Sequence, residues 1–270
     1  MSAARNTGAS MARGDLLLFV DDDVEPLPSF IEAHRRAHQS ARDLVAVGPY
    51  LPPQALSPAT LLAERLWHLD AAFAASLTQW KGPLDWLCII GGNVSMPKAL
   101  FEIVGGFDNS LSTYGREDSE FAYRAQKAGA RFVHLPNAGA FHHSHENRSL
   151  MDYFRKARSI GRNDVVITRR YPEIHDRLPV NRAIRPHTML GRLARWFAYD
   201  HPRAGDVMVR GLMLAGSGLG ALRMRRPWNR LVDCTYEYWY FRGVADELGN
   251  SAAVAAYIEG LRPSLGSDRS

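Results

Sequence analysis

The stretch "LLLFVDDDVEP", residues 16–26, runs five apolar residues into three successive carboxylates and then a turn. A short uninterrupted apolar run of this kind reads as a strand covered on both faces of an α/β sheet. Asp21, Asp22 and Asp23 then stand at its carboxyl end, the edge of an open α/β sheet where ligands bind. They are not needed to start the next helix, because Pro28 is followed by "SFIE", in which Ser29 and Glu32 make a capping-box pattern. In an extended chain, residues two apart share a side and lie about 7 Å apart. Asp21 and Asp23 can therefore converge on one divalent ion while Asp22 faces away. Oxygen ligands suit Mg²⁺ or Mn²⁺, and an added imidazole tilts the choice towards Mn²⁺.

The bulk properties agree with a folded chain. Its 270 residues, 46% of them apolar, suffice for a real core in one or two domains. Cys88 and Cys234 show neither metal-ligand nor disulfide-framework spacing and are expected to be reduced. The opening "MSAARNTGASMARGD" lacks a basic segment followed by an apolar one, so the expected location is cytoplasmic. The most apolar later stretch, residues 207–222, is shorter than a spanning helix and contains Arg210. Between Arg182 and Arg230 stand ten arginines against two acids, Asp200 and Asp206. That imbalance favours an anionic neighbour such as a membrane face or a phosphate group.

Along the chain, "DLVAVGPY" from Asp43 predicts a second strand, and the segment from Thr60 to Trp80 a helix with Leu62, Leu66, Leu69 and Phe73 on its apolar face. "DWLCIIGGNVSMPKALFEIVGGFD" predicts a strand, a Gly91-Gly92 turn, a short helix opened by Pro97 and a stop at Gly105-Gly106. "YGREDSEFAYRAQKAGARFVHLP" predicts a helix from about Glu117 to Ala128 and a strand from Arg131 to Leu135, with Glu117 and Asp118 in the first helical turn. "NAGAFHHSHE" is extended, and "SLMDYFRKARSIGR" opens a basic helix capped by Ser149. A boundary near residue 147 is expected, with 1–147 as a catalytic part and 148–270 as a helical, arginine-rich extension.

"FHHSHE" supplies imidazoles at the end of another strand. Alternation places His142 and His143 on opposite faces, so one of them can reach the ion, and the sequence does not say which. "HENRS" from His145 has a serine where a zinc protease needs its second histidine. A strand followed by Asp-x-Asp also occurs in haloacid-dehalogenase-like phosphohydrolases, with the first aspartate as nucleophile. Glu25 stands where that motif has Thr or Val.

Taken in order, "ARNTGASMARGDLLLFVDDDVEPLPSF", "GGNVSMPKALFEIVGGFD", "YGREDSEFAYRAQKAGARFVHLP" and "AFHHSHE" resemble family 2 glycosyltransferases of the A-type fold, over roughly residues 3–170. The resemblance implies a Rossmann-like α/β part with a mixed sheet. It also implies Asp21 and Asp23 as the Asp-x-Asp element that holds Mn²⁺ or Mg²⁺ on a nucleotide-sugar diphosphate, with Asp23 the direct ligand. Arg5, Asp21, Asp22, Gly91, Gly92 and Asn93 fall at donor-binding positions, and Asp118 at the catalytic base with Glu117 beside it. His142 matches the metal-contacting histidine better than His143 or His145.

The implied activity is hexosyl transfer (EC 2.4) with inversion, from a UDP-sugar to a glycan or lipid-linked acceptor of cell-envelope polysaccharide synthesis. The Gln-x-x-Arg-Trp motif of processive synthases does not occur, and "YFRKARSIGR" stands in that region. Peripheral contact with the inner face of a membrane is an expected role of the arginines and of "YEYWYF" from Tyr236, with packing against the catalytic domain as the alternative; nucleic acid is not an expected partner. Family members usually carry a nucleotide-binding βαβ unit before the equivalent of Ala4, which this sequence lacks. Without a segment that completes the fold, weak or no activity is expected. The rival readings are the phosphohydrolase and a non-catalytic remnant that binds metal and diphosphate without turnover.

Overall fold

The computed structural model describes residues 2–39, 41–52, 60–111, 113–143, 148–184 and 188–261. The chain forms two compact units, one of residues 1–112 with 116–148 and one of residues 113–115 with 149–270.

The first unit is α/β. Its elements are α1 (Ser2–Met11), β1 (Leu16–Val20), β2 (Val24–Pro26), α2 (Phe30–Ala37), β3 (Leu44–Val47), β4 (Tyr50–Leu51), α3 (Leu61–Gln79), β5 (Asn93–Pro97), α4 (Lys98–Val104), α5 (Glu117–Lys127), β6 (Arg131–His134) and β7 (Ala140–His142). Among the described residues, one sheet has the order β1-β5-β3-β6 and a smaller one β2-β7-β4. The larger sheet is mixed, because β5 runs antiparallel to both β1 and β3 while β3 and β6 are parallel. Val45, Val47, Val94 and Met96 are buried at its centre, as continuous apolar runs require. Phe107 and Phe121 pack at 4.8 Å between ring centroids, and Phe19 meets both Phe101 and Phe107, so the root of β1 sits on an aromatic core.

Several local expectations change. Ser29 does not cap α2; its hydroxyl donates to the Asn137 carbonyl, and Glu32 pairs with Arg35 and Arg36 on the surface. The strand expected at "DWLCII" is a short 3-10 turn, Trp86–Cys88, capped by Asp85. On α3, Leu62 and Leu66 are buried but Leu69 is half exposed, so the apolar stripe continues not to Leu69 but to the next residue, Asp70. Ser149 does cap its helix, accepting from the Asp152 amide at 3.1 Å.

Between α2 and β5 lies a buried polar network. His34 sits 2.8 Å from Ser95 Oγ and 3.0 Å from Asn93 Oδ1, and His38 Nε2 lies 2.8 Å from the same Ser95 hydroxyl. Burial holds the His34 imidazole below its ordinary value, and burial followed by the neighbouring His34 pushes His38 down to about 4. The unfolded chain takes up these protons near pH 6.5, whereas the fold resists them. The stabilisation is therefore complete above about pH 6.5 and is lost as the pH falls towards 4. Thermal melts should show Tm dropping across that window, and a His38→Gln chain should show a shallower drop.

The second unit is helical: α6 (Leu150–Arg170), α7 (Val180–Ile184), α8 (Met189–Tyr199), α9 (Pro202–Ala221), α10 (Arg225–Leu248) and α11 (Ser251–Leu261). Its spine is the α6–α10 pair. At Gly243 a Cβ would meet the Arg158 carbonyl at 1.9 Å, so the two backbones touch where only glycine fits. Beside that contact the Tyr240 hydroxyl donates to buried Asp164 at 2.6 Å, and Arg158 forks onto Asp246 at 2.7 Å. Tyr238, Tyr240 and Phe241 are buried in this unit, so the "YEYWYF" segment mainly builds core and does not offer a bilayer-facing aromatic surface. No helix among the described residues is long and apolar enough to cross a membrane.

Candidate active site

The turn after β1 is the meeting point of segments far apart in sequence. The ladder of β1 with β5 places Val20 opposite Asn93, and the Asp21 amide extends it by donating to the Gly92 carbonyl at 3.1 Å. Gly91 and Gly92 are thereby laid against the carboxylates. A Cβ on Gly92 would meet Asp21 Oδ2 at 2.0 Å and the Tyr50 hydroxyl at 2.2 Å, which explains the glycine at this position. Asp22, at the tip of the turn, is exposed.

Arg5, on α1, reaches across to this turn. Its guanidinium donates to Asp21 at 2.8 Å and to Glu117 at 3.4 Å. Burial works against the charge, but Asp21 and Glu117 outweigh it and hold the Arg5 pKa above its ordinary value. The cation is thus a fixed part of the site. Tyr50 donates to Asp21 from the other side at 3.3 Å, and burial together with Asp21 pushes its phenol well above the ordinary value, so it remains a donor.

The first turn of α5 supplies the next carboxylates. Arg116 precedes it in the left-handed region, with φ of 76°, an uncommon conformation for a residue with a side chain. Arg124 anchors the helix from behind by pairing with buried Glu120 at 2.8 Å and donating to the carbonyls of Val104 and Gly106. Asp118 then accepts from the Gly91 amide at 3.1 Å and from the Ser119 amide at 2.8 Å, while keeping partial exposure. Glu117 is buried and turned to Arg5.

The pairing of β2 with β7 sets the histidines. Val24 stands opposite His142, which places His142 Nε2 3.7 Å from Asp23 Oδ1. On the other face His143 pairs with Glu25 at 2.9 Å, away from Asp23. His145 lies outside the described residues. His142 is held twice more: its Nδ1 lies 3.1 Å from Asp70 on α3, and its ring stacks on Tyr50 at 4.5 Å between centroids.

The structure therefore gathers Arg5, Asp21, Asp23, Gly91, Gly92, Glu117, Asp118 and His142. It does not bring Asn93 into the opening. Asn93 is fully buried, donates to the Ala138 carbonyl at 3.0 Å and accepts from His34, so the expected donor contact gives way to an internal strut. Two neighbours, Tyr50 and Asp70, were not expected from the sequence. Asp70 follows Leu62 and Leu66 at four-residue steps, and an acid on an apolar stripe is the mark that reveals it. Among the described residues no three His, Cys, Asp or Glu side chains form a ready metal cage.

Comparison with known proteins falls on this cluster. The model of glycosyl transferase family 2 matches residues 1–99, and that of the N-terminal domain of galactosyltransferase matches residues 71–146, so that together they cover every residue of the site. Residues 1–99 are thus similar to glycosyl transferase family 2. The chain is 28% identical to a hyaluronan synthase of Pasteurella multocida over 167 residues, 52% of this chain and 17% of that protein. It is 25% identical to a glucosyl-dolichyl phosphate glucuronosyltransferase of Haloferax volcanii over 57% of this chain and 50% of that one. The chain thus spans half or less of the length of these relatives. A solved mannosyltransferase of Pyrobaculum calidifontis, in complex with GDP-Man and Mn²⁺, aligns over 92% of this chain and 66% of its own at 15% identity and a TM-score of 0.49. The family models and relatives matched are glycosyltransferases and do not favour the phosphohydrolase reading, in which Asp21 would be a nucleophile.

Proposed function

We propose that the chain is an inverting, non-processive, metal-dependent glycosyltransferase that moves a sugar from a nucleotide diphosphate, UDP in the first instance, to a hydroxyl of a glycan or lipid-linked acceptor. The observation that carries this reading is the convergence of Arg5, the Asp21–Asp23 turn, Gly91, Asp118 and His142 at one edge of the fold.

The donor set fits a divalent cation. With Asp70 accepting the Nδ1 proton of His142, the ring turns Nε2 towards Asp23 as an acceptor, 3.7 Å from its carboxylate, and both are groups that would serve as ligands to a divalent cation. Asp23 and His142 would hold Mn²⁺ or Mg²⁺, and Asp21, engaged by Arg5 and Tyr50, would support the turn. When bound, the ion supplies charge neutralisation for the departing diphosphate. The protein's own part is proton transfer and positioning. Asp118 takes the proton of the acceptor hydroxyl as its oxygen bonds to the anomeric carbon and the bond from that carbon to the diphosphate oxygen breaks. Attack from the face opposite the leaving group inverts the centre. Glu117 and Arg5 fix the floor of the site, and the bare Gly91-Gly92 backbone admits the donor closely. Action at the cytoplasmic side of a membrane, with peripheral contact through the helical unit, belongs to the same proposal. Its support is the arginine excess, since the cytoplasmic leaflet is anionic.

The direct test is to supply labelled UDP-sugars with Mn²⁺ and a panel of glycan and polyprenyl-phosphate acceptors. Transfer with inversion supports the reading; Mn²⁺-dependent UDP binding with no turnover on any acceptor would favour a binding remnant. Asp70 gives a sharper check. An Asp70→Ala chain should bind Mn²⁺ with UDP about 10–100-fold more weakly by calorimetry, the usual cost of losing the partner behind a ligating histidine. Asp70→Asn, which still accepts the Nδ1 proton, should recover part of that loss.

A further inference from the structure

The helical unit contains a cavity of about 350 Å³ between α8, α9 and α10, within the roughly 300–1,000 Å³ of sites that hold small molecules. Its wall is apolar, with Leu193 and Phe197 from α8, Met208 and Leu212 from α9 and Leu231 from α10, and Arg230 borders it. The same helices expose further apolar side chains: Met189 on α8 is 79% exposed, Trp196 47%, and Leu214 on α9 77%. The three helices also carry the exposed arginines 192, 203, 210, 226 and 230. Of the acids nearby, Asp206 accepts from the Tyr238 hydroxyl at 2.7 Å and Asp200 from the Ser251 hydroxyl, while Asp233 and Glu237 lie beside Cys234 on α10.

We propose that the α8–α9 face docks on an anionic bilayer and that the cavity receives one acyl chain of an anionic lipid. An apolar wall with a cationic rim matches an amphiphile that has an apolar tail and a negative head. A second copy of the chain would oppose two arginine-rich patches across a two-fold axis, where like charges repel. With no spanning helix among the described residues, the face would lie on the membrane rather than cross it. The arginines reach the headgroups through their flexible stems while the apolar residues enter the acyl boundary. This inference takes up the membrane contact proposed above and names its face and ligand; sugar transfer is read by a different assay, so either can fail alone.

The test uses the full chain with vesicles of phosphatidylcholine, alone or with 30 mol% phosphatidylserine, a composition of about the anionic content that attracts basic surfaces. Cosedimentation should require phosphatidylserine and weaken several-fold in high salt, as screening of surface charge demands. Cys234 lines the cavity, whereas Cys88 belongs to the other unit, so the pair reports where the lipid sits. Alkylation of Cys234 by iodoacetamide, followed by mass spectrometry, should slow several-fold on the anionic vesicles while that of Cys88 is unchanged. Leu193→Glu and Arg210→Glu change exposed side chains and should each weaken vesicle binding about tenfold without lowering Tm. The proposal is overturned by equal binding to both vesicle types, by binding that leaves Cys234 unprotected, by variants that bind as the parent does, or by self-association in light scattering that replaces vesicle binding.

Discussion

An Asp118→Asn enzyme should bind a UDP-sugar with Mn²⁺ as the parent chain does, yet transfer the sugar about 10²–10⁴-fold more slowly, the range that a positioned base contributes. The substitution preserves size and one acceptor oxygen, so the contacts that Asp118 makes with the Gly91 and Ser119 amides need not all be lost. What disappears is the second carboxylate oxygen and with it the capacity to take a proton. Glu117 cannot stand in, because it is buried and directed to Arg5. Steady-state kinetics would show the loss in kcat with KM for the donor little changed. A loss confined to KM would assign Asp118 to binding and remove it as the base.

The second large effect is expected at Asp23. An Asp23→Ala chain should lose Mn²⁺-dependent UDP binding by more than roughly 100-fold, beyond the ~10–100-fold that follows from removing a partner behind a ligand. Its carboxylate faces His142 Nε2, whereas Asp21 is already engaged by Arg5 and Tyr50. Replacement of Asp21 should therefore disturb the fold of the turn as well as binding, and the Asp23 variant should melt close to the parent. Calorimetry of UDP with and without Mn²⁺ on the two variants separates ligand from support. Unchanged nucleotide binding in Asp23→Ala would place the metal elsewhere.

What the sequence disclosed was what local chemistry determines. The apolar run of residues 16–20 carries its own strand pattern, Gly105 its left-handed stop and Ser149 its cap, and each needs only its neighbours. Alternation along "FHH" likewise predicts that His142 and His143 lie on opposite faces, and the structure turns His142 towards Asp23 and His143 towards Glu25. Elsewhere, distant partners decided the outcome. Ser29 had a local capping option and instead donates to Asn137, 108 residues away. Asn93 sits in a glycine-rich loop motif, but pairing of β5 with both β1 and β3 draws it into the interior. The helical stripe of α3 was visible, yet choosing between Leu69 and Asp70 as its next member required knowing where His142 would lie. The aromatic run at residues 236–241 had the composition of an interface and became core because α6 and α10 approach so closely at Gly243.

Arg5 carries a further consequence. One guanidinium is shared between the aspartate after β1 and the glutamate that opens α5, so two segments nearly a hundred residues apart have a common counter-ion. Their contributions are then thermodynamically coupled rather than separate. A double-mutant cycle on Arg5 with Asp21, or on Arg5 with Glu117, should give a non-zero interaction energy, and the two cycles should depend on each other. The motifs of this site therefore tolerate change as a set more readily than one at a time: a chain that has lost Arg5 has less to lose from either acid, whereas a chain that keeps it cannot spare them.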